Sequence, residues 1–136
     1  MSPKNCARLA VLLVVASLGA CDRPPPPPKT FPVRGTIAFT DGGAPSAGTI
    51  EFRSVADSLA ALGQVQADGS FSLSTLAGAA KLDGAVEGQH RVTFVPAPAK
   101  GEMQSTALPV SLAEPIAVRS DAENNFKIKI DRPRSP

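Results

Sequence analysis

The fold is decided by the stretch Val33-Arg34-Gly35-Thr36-Ile37-Ala38-Phe39, in which apolar residues occupy every second position. Successive side chains of a β-strand point to opposite faces of the sheet, so positions 33, 35, 37 and 39 share one face and Arg34 and Thr36 share the other. A helix would scatter the same residues around its circumference. The period of two therefore predicts a half-buried strand.

Four later segments repeat this alternation, around residues 50–52, 71–73, 92–94 and 126–130. Five of the six Phe in the sequence lie on the apolar side of these four segments and of 33–39. We expect the apolar sides to form one core, because roughly a hundred residues are enough for one modest core and too few for two. The predicted core consists of Val33, Ile37, Phe39, Ile50, Phe52, Phe71, Leu73, Val92, Phe94, Phe126, Ile128 and Ile130.

Turn-forming residues separate the predicted strands. Gly42, in Asp41-Gly42-Gly43, follows the first strand, and Asp68-Gly69 lies between 63–66 and 70–75, where a two-residue hairpin loop needs the positive φ that Gly adopts. Residues 55–62 are interpreted as a connecting loop, and 107–110 and 116–118 as short edge strands between prolines. Together these features predict an all-β fold, an antiparallel β-sandwich of about seven strands of the immunoglobulin-like or transthyretin-like kind, over residues 31–131.

The chain begins with a basic segment containing Lys4 and Arg8, followed by an apolar run from Leu9 that ends in Leu18-Gly19-Ala20-Cys21. The run is too short to cross the ~30 Å hydrocarbon core of a bilayer, and its layout is typical of an export signal. The final quartet resembles the bacterial lipoprotein box. That resemblance implies cleavage between Ala20 and Cys21 and attachment of membrane lipid to the Cys21 thiol, while an ordinary secretory signal with a coincidental Cys is the alternative.

The expected organisation is a signal peptide at 1–20, a lipidated Cys with a proline-rich linker at 21–30, the sandwich, and a tail at 132–136. Residues 24–28 are all Pro, and consecutive prolines adopt extended polyproline II, so we interpret them as a spacer of about 15 Å rather than as a ligand for an aromatic groove. Two acyl chains anchor a protein stably. The expected location is the cell envelope, facing the periplasm or the exterior, with inner and outer membrane both left open.

Composition excludes several classes of function. Removing Lys4 and Arg8 from the 14 Lys and Arg leaves twelve, against 12 Asp and Glu, so the mature chain is formally neutral. It has no basic stripe with interleaved aromatic residues, which argues against nucleic-acid binding. Cys6 lies in the predicted signal and Cys21 would be lipidated, which leaves no thiol for a disulfide, metal site or nucleophile. No cofactor is predicted.

Several segments resemble carboxypeptidase regulatory-like domains. Residues 32–37 and 45–52 resemble the first two strands of that family, 67–75 its hairpin, 83–92 its Gly-containing segment and 125–128 its closing strand. With the lipoprotein-like start, this layout is similar to that of the small transthyretin-like lipoproteins of planctomycete-type bacteria. The resemblance implies a sandwich fold and a module that is usually non-catalytic. At 64–67 the chain has Gln-Val-Gln-Ala where the family often has an Asp-containing lead-in.

Three groups of residues carry candidate chemistry. His90 is the single histidine and lies on a predicted strand, without a second His or a Cys to complete a catalytic or metal-binding set. Ser70, Ser72 and Ser74 predict a row of hydroxyls on the solvent face. Asp121, Glu123 and Asn124, in the 121–125 loop, are possible Ca²⁺ ligands, but without regular ligand spacing a solvated turn is the preferred interpretation. No metal site is predicted.

These observations predict a membrane-anchored, non-enzymatic envelope lipoprotein with a binding, adhesive or structural role and with an envelope protein or a glycan as its partner. A carbohydrate-binding accessory module is the alternative, although the chain has no Trp or Tyr for sugar stacking. A small hydrolase is a third hypothesis. The transthyretin-like hydroxyisourate hydrolases are excluded because they rely on several His and a C-terminal Tyr-Arg-Gly-Ser, whereas this chain ends Arg132-Pro133-Arg134-Ser135-Pro136.

Overall fold

The computed structural model describes residues 23–136, and this part of the chain is all-β. Its strands are β1 (Thr30–Phe31), β2 (Val33–Phe39), β3 (Gly48–Ser54), β4 (Ala60–Val65), β5 (Ser70–Ser72), β6 (Ser74–Ala77), β7 (Ala80–Asp83), β8 (Ala85–Val86), β9 (Gly88–Pro96), β10 (Val110–Ser111), β11 (Ile116–Val118) and β12 (Asn124–Ile130). Within residues 23–136, no helix has the length and apolar character that a membrane span requires. The predicted signal, including Cys6, Ala20 and Cys21, lies outside the described residues.

The strands form two main sheets that enclose one core. The large sheet has seven strands in the order β10-β9-β3-β4-β6-β7, with β11 also paired to β9, and the small sheet has the order β12-β2-β5. A two-stranded ribbon, β1 with β8, lies where the chain enters the sandwich. This architecture confirms the predicted all-β sandwich. It has twelve strands where about seven were predicted, because 70–75 is two strands and β1, β7 and β8 lie in segments that were not predicted as strands.

The core fills the space between the two sheets. Every side chain that the sequence predicts to be inside is buried, except that of Phe126, which is half-buried. Phe52 of the large sheet lies at the centre, with its ring centroid 6.2 Å from that of Phe71 and 6.0 Å from that of Phe126, both in the small sheet. These two ring pairs join the sheets, and such aromatic contacts contribute roughly 0.5–1.5 kcal/mol per pair beyond their buried area.

The hairpin after β4 differs from the prediction in its loop. The Gln66 N–H donates to the Ser70 carbonyl over 2.8 Å and the Gly69 N–H to the Gln66 carbonyl over 2.9 Å, so three residues rather than two form the loop, with Gly69 at a φ of 84°. This is the geometry of a type I turn followed by a left-handed residue. Asp68 accepts hydrogen bonds from the Ser70 N–H and hydroxyl, which lowers the pKa of its carboxyl.

The returning chain then changes sheets at Leu73. β5 pairs with β2 in the small sheet, whereas β6 pairs with β4 in the large one. The predicted single strand over 70–75 is therefore two strands. Leu73 is buried between them, and its N–H donates to the Val33 carbonyl over 3.0 Å. This crossing closes one side of the sandwich.

The predicted antiparallel arrangement holds throughout the large sheet and fails for one pair in the small sheet. β12 runs parallel to β2 over seven residues, from Asn124 beside Val33 to Ile130 beside Phe39. The chain enters β12 from β11 in the other sheet, so no tight hairpin constrains the direction of β12. Parallel and antiparallel half-buried strands show the same alternation of side chains, so the sequence pattern did not distinguish them.

The other turns follow the sequence closely. The Asp41-Gly42-Gly43 turn is closed by a hydrogen bond from the Phe39 N–H to the Gly43 carbonyl, and both glycines have positive φ. The loop predicted over 55–62 is shorter, because β4 already begins at Ala60. Of the two predicted edge strands, the second coincides with β11. The first, predicted over 107–110, is wrong in its bounds, because β10 is Val110–Ser111 and shares only Val110 with it.

Both ends of the sandwich carry extended chain. Residues 23–29 precede β1 without regular secondary structure and are exposed apart from half-buried Pro28. After β12, Arg132 donates two hydrogen bonds of 3.0 Å to the Asp41 carboxylate, which lowers the pKa of Asp41, and its guanidinium lies 4.2 Å from the centroid of the Phe39 ring. The start of the predicted tail is thus attached to the domain.

Candidate functional site

His90 lies inside the sandwich, with 0% of its surface exposed. It projects from β9, and its ring centroid is 6.1 Å from that of Phe52. Nδ1 lies 3.0 Å from the Gly88 carbonyl, which can only accept, so Nδ1 carries the proton. Nε2 is buried and has no hydrogen-bond partner. Desolvation lowers the pKa of the ring, an effect opposed by the Gly88 carbonyl and by the Asp57 carboxylate. A neutral, enclosed imidazole is a core residue and cannot reach a substrate in solvent.

The buried ring predicts a dependence of stability on pH. The folded-state pKa of His90 lies below its unfolded value of about 6.5, so the unfolded chain binds more protons below that pH. We expect the free energy of unfolding to have its full value above pH 6.5. As the pH drops from there toward the folded-state pKa, the free energy of unfolding should fall by up to about 1.4 kcal/mol per pH unit. Urea unfolding at a series of pH values measures this slope.

The matched variant is His90→Leu, which keeps an apolar side chain at the site and removes the titration. Because His90 is the single histidine of the chain, this variant should lose most of the slope between pH 6.5 and pH 5. An unchanged slope in His90→Leu would show that other groups cause the acid sensitivity.

The three serines do not form one functional row. Ser70 and Ser72 belong to the small sheet and Ser74 to the large sheet. The Ser70 hydroxyl donates to the Asp68 carboxylate over 2.6 Å and thereby stabilises the hairpin turn. His90 is enclosed in the core, so it is not available to activate any of these hydroxyls. Their role is that of polar side chains on strand surfaces.

The 121–125 loop uses its polar groups internally. The Asp121 carboxylate accepts two hydrogen bonds from Arg119, which lowers the pKa of Asp121. Asn124 is buried; its Oδ1 accepts from the Arg119 N–H over 2.8 Å and its Nδ2 donates to the Arg119 carbonyl over 2.9 Å. Glu123 is exposed. The three candidate Ca²⁺ ligands therefore have separate roles, and residues 23–136 contain no group of three or more His, Cys, Asp or Glu side chains arranged for a metal ion.

A groove of about 630 Å³ lies on the outer face of the large sheet, over β3 and β9, with Leu112, Ala113 and Pro115 along one wall. Arg53 and Arg91 lie directly opposite each other on these strands. Arg53 donates to Glu51 over 2.9 Å and to the Ser58 carbonyl over 3.2 Å, whereas Arg91 has no ion pair within the described part of the chain. Two adjacent guanidinium groups can bind a carboxylate or a phosphate.

The outer face of the small sheet is also basic. Arg34 on β2 lies beside Asn125, and Thr36 beside Lys127, in the β2–β12 register. On the other side of β2, Arg34 is opposite Ser72 and Thr36 is opposite Ser70. Lys129 lies two residues beyond Lys127 on the same exposed face. This surface carries three cations, Arg34, Lys127 and Lys129, and two serines.

Neither of these two basic surfaces was predicted from the sequence. The signal was present in the outward positions of the strands, where Arg91, Lys127 and Lys129 alternate with core residues. Alternation shows that these side chains point outward. It does not show which strand lies alongside, and it is the pairing of β3 with β9 and of β2 with β12 that brings the cations together. None of the six Phe is exposed, so the described surface has no aromatic platform for a sugar ring.

Comparison of the chain with protein-family models, with curated proteins and with solved structures finds no match.

Proposed function

We infer that this chain is a membrane-anchored envelope lipoprotein whose β-sandwich is a non-enzymatic binding module. The observation that carries the proposal is the order of its parts along the chain: the lipoprotein-box-like Leu18-Gly19-Ala20-Cys21, five consecutive prolines, and a sandwich whose first strand begins at Thr30. Residues 24–27 are exposed, as a spacer between a membrane and a domain should be. A polyproline II segment of this length holds the domain ~15 Å from the lipid.

The side chains described above support a binding role over an enzymatic one. His90 is enclosed in the core, and the carboxylates of Asp41 and Asp121 are each held by an Arg. General acid–base catalysis needs a group within hydrogen-bond reach of substrate and with a pKa near the working pH, and none of these three groups meets both conditions. In the groove, Arg53 is paired with Glu51, which leaves Arg91 as the cation that can bind an anionic ligand. The resemblance to carboxypeptidase regulatory-like domains supports the same class of function.

The lipid anchor is tested by metabolic labelling in a bacterial host. We expect labelled fatty acid to enter the wild-type chain and the processed protein to fractionate with membranes. Cys21→Ser removes the thiol that forms the thioether to diacylglycerol, so this variant should remain unlabelled and uncleaved. Cys6→Ser is the matched control, because it removes the other cysteine of the chain and should be labelled as the wild type is. Equal labelling of Cys21→Ser and wild type would contradict the anchor.

A further inference from the structure

β12 is the last strand of the small sheet, and no strand of residues 23–136 pairs with its outer edge. It is seven residues long, whereas β7, the strand at the far edge of the large sheet, has four. An edge strand of this length presents a row of backbone N–H and C=O groups on which another strand can add. Its backbone is straight enough to pair with β2 in continuous register from residue 124 to residue 130.

The outward backbone groups belong to Asn125, Lys127 and Lys129. The Thr40 N–H donates to the Ile130 carbonyl over 2.9 Å, so residue 130 directs its peptide groups toward β2. In a parallel pair, alternate residues make the hydrogen bonds to a given neighbour, so residues 124, 126 and 128 also face β2. Asn125, Lys127 and Lys129 therefore direct their N–H and C=O groups away from β2, toward the open edge.

The same three residues have exposed side chains on the outer face of the sheet. Neither Lys127 nor Lys129 forms an ion pair within the described residues, and Arg34 next to them has none either. The side chains of a strand added at this edge would lie about 4.5–5.5 Å from those of Lys127 and Lys129, measured between Cβ atoms. Such a strand is favoured if it carries acidic residues at these outward positions.

The opposite side of β12 adds a second requirement. Ile128 and Ile130 are buried at 3% exposure each, whereas Phe126, which points to the same side, is only half-buried. The inward side chains of an added strand would extend the core over Phe126. The matching sequence therefore alternates acidic and apolar residues, with the period of two that a half-buried strand requires.

We propose that the outer edge of β12 binds an extended acidic segment of a partner protein, which adds as a further strand of the small sheet and pairs its carboxylates with Lys127 and Lys129. Main-chain hydrogen bonds supply affinity in this mode of recognition, and the alternate side chains supply specificity. A second copy of this chain is a poor occupant, because pairing two β12 edges would place lysines of both copies side by side.

The test uses the full chain, purified in a nonionic detergent, and a short synthetic peptide of alternating Glu and Val. We expect saturable binding by calorimetry and, on saturation, slower hydrogen exchange of the backbone amides of Asn125, Lys127 and Lys129. The double variant Lys127→Glu/Lys129→Glu should weaken peptide binding by about tenfold or more. Lys81→Glu, the same change in β7 at the far edge of the large sheet, is the matched control and should bind the peptide as the wild type does.

A second variant separates strand addition from attraction of charge alone. Lys127→Pro removes an N–H that faces the open edge and leaves the hydrogen bonds to β2, a position in which an edge strand tolerates Pro. It should weaken peptide binding while circular dichroism shows a folded sheet. Equal affinity of the wild type and the double Glu variant would overturn the proposal. Binding without slower exchange at residues 125, 127 and 129, or concentration-dependent dimerisation abolished by Lys127→Glu/Lys129→Glu, would overturn it as well.

Discussion

Replacement of Phe52 by Ala is expected to lower the free energy of unfolding by about 3–5 kcal/mol. The Phe52 side chain is 0% exposed, and its ring centroid lies 6.2 Å from that of Phe71 and 6.0 Å from that of Phe126 across the sandwich. Truncation removes the transfer free energy of the ring and leaves a cavity between the two sheets. The sheets cannot close this cavity without disturbing their other contacts. The total free energy of unfolding of a single domain is only ~5–15 kcal/mol, so the substitution removes a large part of the stability.

Urea unfolding followed by far-ultraviolet circular dichroism measures the effect, since the chain has no Trp or Tyr to report by fluorescence. Phe71→Ala should lose a similar amount, because it removes the partner ring from the other sheet. Leu76→Ala is the control: Leu76 is 62% exposed, and surface substitutions of this kind stay within about 0.5 kcal/mol. Losses below about 1 kcal/mol at both Phe52 and Phe71 would contradict the central position of this contact.

Gly84→Ala is expected to destabilise the domain by about 3 kcal/mol or more. Gly84 has a φ of 86°, in the left-handed region that side chains disfavour, and a Cβ at this position would clash with the Phe31 carbonyl oxygen. The obstacle is backbone, so it cannot rotate away as a side chain could. The Gly84 N–H also donates to the Leu73 carbonyl over 2.8 Å. Relief of the clash therefore requires β1 to separate from β8 or Gly84 to leave its bond with Leu73.

Gly78→Ala provides a control for the backbone conformation alone. Gly78 has a φ of 61°, but a Cβ there would meet nothing within 4 Å. It should cost about 1–2 kcal/mol, the penalty of the left-handed conformation without a clash. Thermal or urea unfolding of both variants gives the difference, which reports the steric contribution at Gly84. Equal losses in the two variants would mean that the contact with Phe31 relaxes easily.

Much of the fold was predictable because strand alternation and turn chemistry are local properties. The segment Val33–Phe39 has buried residues at the four positions that the pattern assigned to the core, and Gly42 and Gly69 occupy turns with positive φ. Phe126 departs from the pattern in how far its side chain is buried. It points inward, as alternation predicts, but it remains half-buried, whereas Ile128 and Ile130 of the same strand are buried. Alternation shows the direction of a side chain, and its burial also depends on what lies beside the strand.

The candidate site was less predictable, because it depends on contacts between residues distant in sequence. Arg53 and Arg91 form one groove only because β3 and β9 pair. His90 could have lain at a rim or in the core, and the packing of its ring against Phe52 decides for the core. Asp121 and Asn124 looked equivalent as oxygen donors, yet one is held by the Arg119 side chain and the other by the Arg119 backbone.

The sequence by itself determined the all-β class, the inward residues, the positions of the main turns, and the prediction of a lipid anchor at Cys21. Each of these depends on neighbouring residues, whose chemistry and backbone preferences can be judged without knowing the rest of the chain. Tertiary structure alone decided the division of 70–75 between two sheets, the burial of His90 and the parallel direction of β12. Strand pairing is selected by how the whole core closes, since a side-chain period of two is the same for every neighbour and for either direction.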